Sequence, residues 1–238
     1  MTDARRRIYV AYTGGTIGMT RTATGYQPEA GYLSAELSRR AVFQQPDLPE
    51  FTVHEYAPLL DSSDMSPADW NRIADDIATH YGDYDGFVVI HGTDTMAYSA
   101  SALSFMLEGL QKPVILTGSQ IAMIEDGSDA EANLVGALRL AASDISGVSL
   151  YFDGVLLRGN RAVKTHSRKF SAFSSPDTPA LFDTRADTLP FASQEQTVTP
   201  LRIRHIRRLQ MGVVHFFPGI SVAQIQSVLT QAPDGVNR

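Results

Sequence analysis

The sequence predicts an α/β fold. The expected form is a mainly parallel, Rossmann-like sheet with helices on both faces, followed by a linker and the first elements of a second α/β domain. Three observations lead there. Short apolar runs recur and stop at glycine. Amphipathic stretches of helical period lie between them. After about residue 170 the pattern gives way to a polar, proline-containing stretch, then to one more apolar run and one short helical stretch. Strand and helix alternating at this spacing imply βαβ units and a parallel sheet covered on both faces.

Each element has a local reason. Residues 8–12, Ile-Tyr-Val-Ala-Tyr, are β-branched and aromatic and end at glycines, which reads as a buried strand. Ser66-Pro67 opens a helix: Ser66 is suited to the N-cap, and Pro67 at the first helical position lacks only an N–H the helix does not need. Trp70, Ile73, Ala74, Ile77, Ala78 and Tyr81 then fall on one stripe. Residues 86–90 read as a second buried strand, broken by His91-Gly92-Thr93-Asp94. A helix follows with Met96, Ala100, Leu103 and Leu107 on one side. Residues 114–117 form the next strand, broken by Gly118 and Ser119. Residues 133–142 read as helix and 148–152 as strand.

The expected division is a catalytic domain over 1–190, a linker over 191–211 and an incomplete domain over 212–238. Residues 174–196 read as loop or linker, 201–208 as an edge strand with a basic outer face, 211–217 as a strand and 221–229 as a helix.

Composition narrows the function. The 238 residues are 43% hydrophobic and 19% charged, as in a folded globular protein. The net charge of −6 gives no general attraction to nucleic acid or to anionic membrane. Cysteine is absent, which excludes disulfides and thiolate chemistry. The apolar run after Arg5-Arg6-Arg7 is about five residues, too short for a signal-peptide core, and no run reaches the roughly 18 residues of a membrane span. The expected location is the cytoplasm. The histidines lack metal-ligand spacing.

In a parallel sheet, ligands bind outside the carboxyl ends of the strands. Thr13-Gly14-Gly15-Thr16, His91-Gly92-Thr93-Asp94 and Thr117-Gly118-Ser119 all sit at such ends, so topology brings three distant segments to one edge. The first segment reads either as a plain glycine turn or as a loop where the backbone approaches a ligand and exposes the Thr16 hydroxyl. It matches neither nucleotide-binding glycine pattern. Residues 20–31 are polar, contain Tyr26 and suit a mobile lid. Thr93 and Asp94 read as a helix cap or as a hydroxyl and carboxylate beside backbone N–H groups that stabilise an oxyanion. Lys164 is either solvated or, if buried near Asp94, a base. Asp61-Ser62-Ser63-Asp64 reads as a turn or as a clamp for an ammonium and a carboxylate. Glu125, Asp126, Asp129 and Glu131 form an acidic run best read as a solvated loop.

Thr13-Gly14-Gly15-Thr16-Ile17-Gly18 and His91-Gly92-Thr93-Asp94-Thr95-Met96 together resemble the two signatures of the type I (cytoplasmic) L-asparaginase family. His54-Glu55-Tyr56, Asp61-Ser62-Ser63-Asp64-Met65, Thr117-Gly118-Ser119-Gln120 and Arg158-Gly159-Asn160-Arg161 are similar too. The resemblance implies hydrolysis of L-asparagine to L-aspartate and ammonia through a threonine-linked acyl-enzyme, without cofactor. By position it implies Thr16 as nucleophile, Tyr26 as the lid tyrosine that activates it, and Thr93, Asp94 and Lys164 as a second catalytic group. Asp61, Ser62 and Ser63 match the segment that binds the substrate's α-amino and α-carboxylate groups, with Gly15 and Gly92 beside it. A homo-oligomer, dimer or tetramer, is implied if the second domain is supplied.

Three departures stand against that pattern. The family's second domain is not continued here, which predicts exposed apolar surface and association. Ala122 stands where the family has proline. Gly127-Ser128-Asp129-Ala130 stands where it has Arg-Ser-Asp-Gly. Two alternatives follow: a truncated relative with little activity that binds a small amino acid or needs a partner chain, and a relative that deamidates glutamine or glutamyl-tRNA.

Overall fold

An unbroken apolar run lets residues Arg7–Gly14 form strand β1, buried from Ile8 onward. The computed structural model of the chain describes residues 5–23, 25–186, 199–209 and 212–231. A tight turn over Thr16–Gly18 leads into an antiparallel hairpin of β2 (Met19–Thr22) and β3 (Gly25–Pro28), where a polar lid was expected. Helix α1 (Tyr32–Arg39) and strand β4 (Glu50–Leu60) follow. Helix α2 (Pro67–His80) starts as its capping residues predict, with the Asp69 carboxylate accepting the Ser66 backbone N–H at 2.8 Å. Next come β5 (Gly86–Ile90), α3 (Met96–Met106), β6 (Leu107–Glu108), β7 (Pro113–Thr117), α4 (Ala130–Ala141) and β8 (Gly147–Phe152). Short strands complete the first unit: β9 (Val155–Arg158), β10 (Val163–Lys164), β11 (Phe173–Ser174), β12 (Phe182–Asp183) and β13 (Arg202–Ile203). Helix α5 (Val222–Gln231) closes the description. The chain divides into two compact units between His205 and Ile206.

The central sheet has the order β12-β9-β8-β7-β5-β1-β4. Its five long members, β4, β1, β5, β7 and β8, run parallel, and β9 and β12 add antiparallel strands at one edge. Counted along the chain, the parallel strands lie in the order 2-1-3-4-5, the flavodoxin-like variant of the doubly wound class. The order reverses between β1 and β5, so a crevice opens beyond the carboxyl ends of those two strands.

Side-chain alternation assigns the layers. Ile8, Val10 and Tyr12 of β1 share a core with Leu33 and Leu37 of α1 and with Leu134, Ala137, Leu138 and Ala141 of α4. On the opposite face, Tyr9 stacks on His80 and donates its hydroxyl to Asp76, both on α2.

Three expectations change. Within residues 174–186 the chain is not all loop, since β12 pairs with β9 through Phe182 and Leu156. Residues 187–198 lie outside the described residues. Of the edge strand expected over 201–208, only β13 forms, paired with β6. Residues 212–217 are not a strand, and Met211 lies outside the described residues. An apolar run becomes a strand only when a neighbour takes its backbone hydrogen bonds, and among the described residues none pairs with 212–217. The helix expected over 221–229 is α5.

Candidate active site

The crevice between β1 and β5 is held together by backbone packed on backbone. Gly15 takes a φ of 98°, where L side chains are strained, and a β-carbon there would lie 2.6 Å from the Gly92 nitrogen. A β-carbon on Gly92 would meet the Ser62 hydroxyl at 2.4 Å. The turn after β1, the turn after β5 and the start of the 62–64 turn therefore touch, and glycine is what allows it. Thr13 ties the same edge from inside the sheet, donating its hydroxyl to the Ile90 carbonyl at 2.8 Å. Thr16 follows Gly15, is part-buried, and its hydroxyl has no hydrogen-bond partner among the described residues.

Beside this turn three expected residues come together. The Lys164 ammonium donates to the Thr93 hydroxyl at 2.9 Å and to the Asp94 carboxylate at 2.8 Å. The Lys164 side chain is only 16% exposed, so the solvated alternative does not hold. Its position comes from the small β10–β11 hairpin, in which Lys164 faces Phe173. Gln120, at the end of the third strand of the edge, completes the group. Its carbonyl oxygen accepts from Thr93 at 3.3 Å, and its amide donates to the Ser167 and Lys169 carbonyls at 3.3 and 2.9 Å. Gln120 was visible as part of a motif but carried no predicted role.

A buried polar chain lies beneath the Gly92 turn. The two His91 ring nitrogens face the Gly92 carbonyl at 2.7 Å and the Ser99 hydroxyl at 2.8 Å. A carbonyl only accepts, so Nδ1 carries the hydrogen and Nε2 accepts from Ser99. Ser99 in turn accepts the Trp70 indole N–H at 2.8 Å. Burial pushes the imidazole down to about 4, so it is neutral at pH 7. Trp70, Ser99 and His91 thus brace the turn that carries Gly92, Thr93 and Asp94. Sequence reasoning missed this chain because its members are three ordinary core positions on three different elements.

The 61–64 segment has the turn character expected of it. Asp61 accepts the Ser63 backbone N–H and hydroxyl, each at 2.8 Å, as a turn-forming aspartate does. Ser62 is buried against Gly92, and its carbonyl accepts the Thr95 hydroxyl at 2.6 Å. Tyr26, at 45% exposure on β3, donates its hydroxyl to Glu125 at 2.6 Å and accepts from Arg21 at 3.2 Å. The acidic run is therefore not merely solvated. Glu125 holds Tyr26. Asp129 caps the Gln120 and Ile121 N–H groups at 3.0 and 3.1 Å, and Glu131 pairs with Arg40.

The switch point of this doubly wound sheet gathers two threonine hydroxyls, a lysine–aspartate pair and two glycines that bring backbone close together, the layout of a candidate hydrolase site. Residues 7–197 match the family described as Asparaginase, N-terminal, and the chain belongs to the asparaginase family. It is similar to L-asparaginase 1 of Escherichia coli strain K12, 51% identical over 233 residues that cover 95% of this chain and 68% of the relative. The crystal structure of L-asparaginase I from Vibrio cholerae superposes with a TM-score of 0.88 at 49% identity, covering 95% of this chain and 69% of that one. The thermostable L-asparaginase of Thermococcus kodakarensis gives 0.75 at 30%, covering 95% and 68%. The chain spans about two thirds of the length of these relatives. No helix among the described residues is long and apolar enough to cross a membrane.

Proposed function

We propose that this chain hydrolyses L-asparagine to L-aspartate and ammonia through an acyl-enzyme. Thr16 is the nucleophile. Its oxygen attacks the side-chain amide carbon, ammonia leaves, and water then frees aspartate from the threonine ester. Tyr26 activates Thr16 by accepting a hydrogen bond from its hydroxyl, and the hydroxyl proton ends on the departing nitrogen, which leaves as ammonia. Lys164, Thr93 and Asp94 form the second catalytic group, and backbone N–H groups of the Thr16 and Thr93 turns face the oxyanion. Asp61, Ser62 and Ser63 bind the α-amino and α-carboxylate groups, with Gly15 and Gly92 leaving room for the substrate backbone.

One observation carries this reading: Lys164 lies within hydrogen-bond distance of both Thr93 and Asp94, although about seventy residues separate it from them in the chain. A lysine bridging a hydroxyl and a carboxylate at the mouth of the sheet is costly to bury unless it serves the site. Family membership and the strand-end location support the same conclusion. We assign the protein to the cytoplasm and to a homo-oligomer by likeness to the type I enzymes.

The deciding experiment is ammonia release from L-asparagine by the purified chain beside Thr16→Ala. Turnover in the wild type and none in the variant is the expected result. Undiminished turnover in Thr16→Ala overturns the nucleophile.

A further inference from the structure

The loop between β7 and α4 touches the candidate site at three places. Gln120 meets Thr93. The Met123 backbone N–H donates to the Ile17 carbonyl at 3.1 Å, one residue from Thr16. Glu125 accepts the Tyr26 hydroxyl at 2.6 Å. The loop is itself anchored. Asp129 caps its first N–H groups, Ser128 donates to the Ile121 carbonyl at 2.8 Å, and Arg40 donates to the Met123 carbonyl at 2.8 Å. It is a braced element rather than a loose acidic segment.

The hydrogen-bond count at Tyr26 gives Glu125 a specific part. A phenol has one hydrogen to give and two lone pairs that accept. Glu125 takes the hydrogen, and Arg21 takes one lone pair at 3.2 Å. One lone pair is left to accept a hydroxyl hydrogen. A phenol aimed otherwise would present its own hydrogen and could not accept there.

From this contact, and resting on the reading of Thr16 and Tyr26 as catalytic, we propose that Glu125 is the positioning residue of the lid tyrosine. By accepting the phenolic hydrogen bond it leaves Tyr26 free to accept a hydrogen bond from the Thr16 hydroxyl, and it pins the β2–β3 hairpin to the loop that also reaches Thr93. Arg21, 3.5 Å from Glu125, keeps the pair aligned from the hairpin side. Glu125 acts through Tyr26 and touches no reacting atom.

A double-mutant cycle on the full chain tests this, with Glu125→Ala, Tyr26→Phe, the pair together, and Thr16→Ala as the reference for the site. Glu125→Ala should lower kcat by about tenfold or more, the scale of a misdirected hydrogen-bond acceptor, with KM within about twofold. In the Tyr26→Phe background the same substitution should change kcat by less than about twofold, since its route is already cut. Unchanged kcat in Glu125→Ala, or losses that multiply in the double variant, overturns the proposal while a dead Thr16→Ala leaves the nucleophile standing. Should turnover persist in Thr16→Ala, or be absent from the wild type, the reading of the site fails and the role of Glu125 with it. A readout free of turnover accompanies the cycle. With tyrosine labelled at Cζ, the Tyr26 resonance, assigned by its loss in Tyr26→Phe, should move in both Glu125→Ala and Glu125→Gln. A resonance that stays in place in both overturns the proposal even where a variant is less stable.

Discussion

Acidification should weaken this fold measurably through one buried imidazole. His91 is shielded from solvent, and its pKa falls from the usual 6.5 to about 4 because burial penalises the charged ring. The unfolded chain therefore binds a proton at this position between pH 6.5 and 4 while the folded chain does not. Stability is full above pH 6.5 and is lost as pH falls towards 4. At pH 4.5 the difference amounts to about 2 to 3 kcal/mol, and well below pH 4 it levels off a little above ~3 kcal/mol. On the scale of a domain's total stability that is a large share. The perturbation is His91→Gln, which keeps a polar side chain and removes the titration. Urea unfolding of both proteins at pH 7.5 and pH 4.5 separates this group from the carboxylates, whose contribution is common to the two. The wild type should lose about 2 to 3 kcal/mol more than His91→Gln across that interval. Equal losses would refute the reasoning and show that the ring titrates in the folded protein as it does in the unfolded one.

Two further outcomes follow from the site geometry. Gly15→Ala should abolish turnover and destabilise the fold by roughly 1–3 kcal/mol, because its β-carbon would collide with the Gly92 backbone at 2.6 Å from a strained φ; turnover near the wild-type level would show that the two turns separate freely. Lys164→Met should lower kcat by about 100-fold or more with Tm within a few degrees, since methionine fills the same largely buried space without an ammonium to desolvate and Asp94, 66% exposed, is left to water. A large drop in Tm with normal kcat per folded molecule would make the lysine a structural ion pair.

Much of this architecture could be read from residue order. The strands β1, β5 and β7 are apolar runs closed by glycine, and their pattern survives because both faces of a central parallel strand are buried. Helix α2 announces itself through Ser66-Pro67. The glycine-bounded turns followed from topology alone, which places strand ends on one edge. What escaped notice depends on partners distant in sequence. The β2–β3 hairpin hides in a polar stretch, though its threonines and the glycine at Gly25 are weak hairpin signals. Strands β12 and β13 are two residues long, below any periodicity, and exist because β9 and β6 accept them. The apolar run at 212–217 shows the converse, strand-like composition without a strand. In the site, Thr93, Asp94 and Lys164 were legible. Gln120 and Glu125 were not, because an amide or a carboxylate in a polar loop gives no local sign of which hydroxyl it will meet. Trp70 was read only as a helix residue and Ser99 was not singled out, and nothing in the order of residues shows that they brace His91.

The contact between Gly15 and Gly92 also bears on when the chain becomes competent. The Thr13 hydroxyl and the Ile90 carbonyl are 77 residues apart, and Lys164 and Thr93 are 71 apart. Contacts of such long range are slow to form, since the intervening chain must be closed before they return anything. The segment from β5 to β8 can pair with its successive neighbours while β1 is still unplaced. Such an intermediate would carry Thr93, Asp94 and the Gln120 loop yet lack the opposite wall and the Thr16 hydroxyl. Turnover regained after denaturation is therefore a clock for the closing of these two long-range contacts rather than for collapse. Any change that slows their closing delays activity without altering the finished molecule.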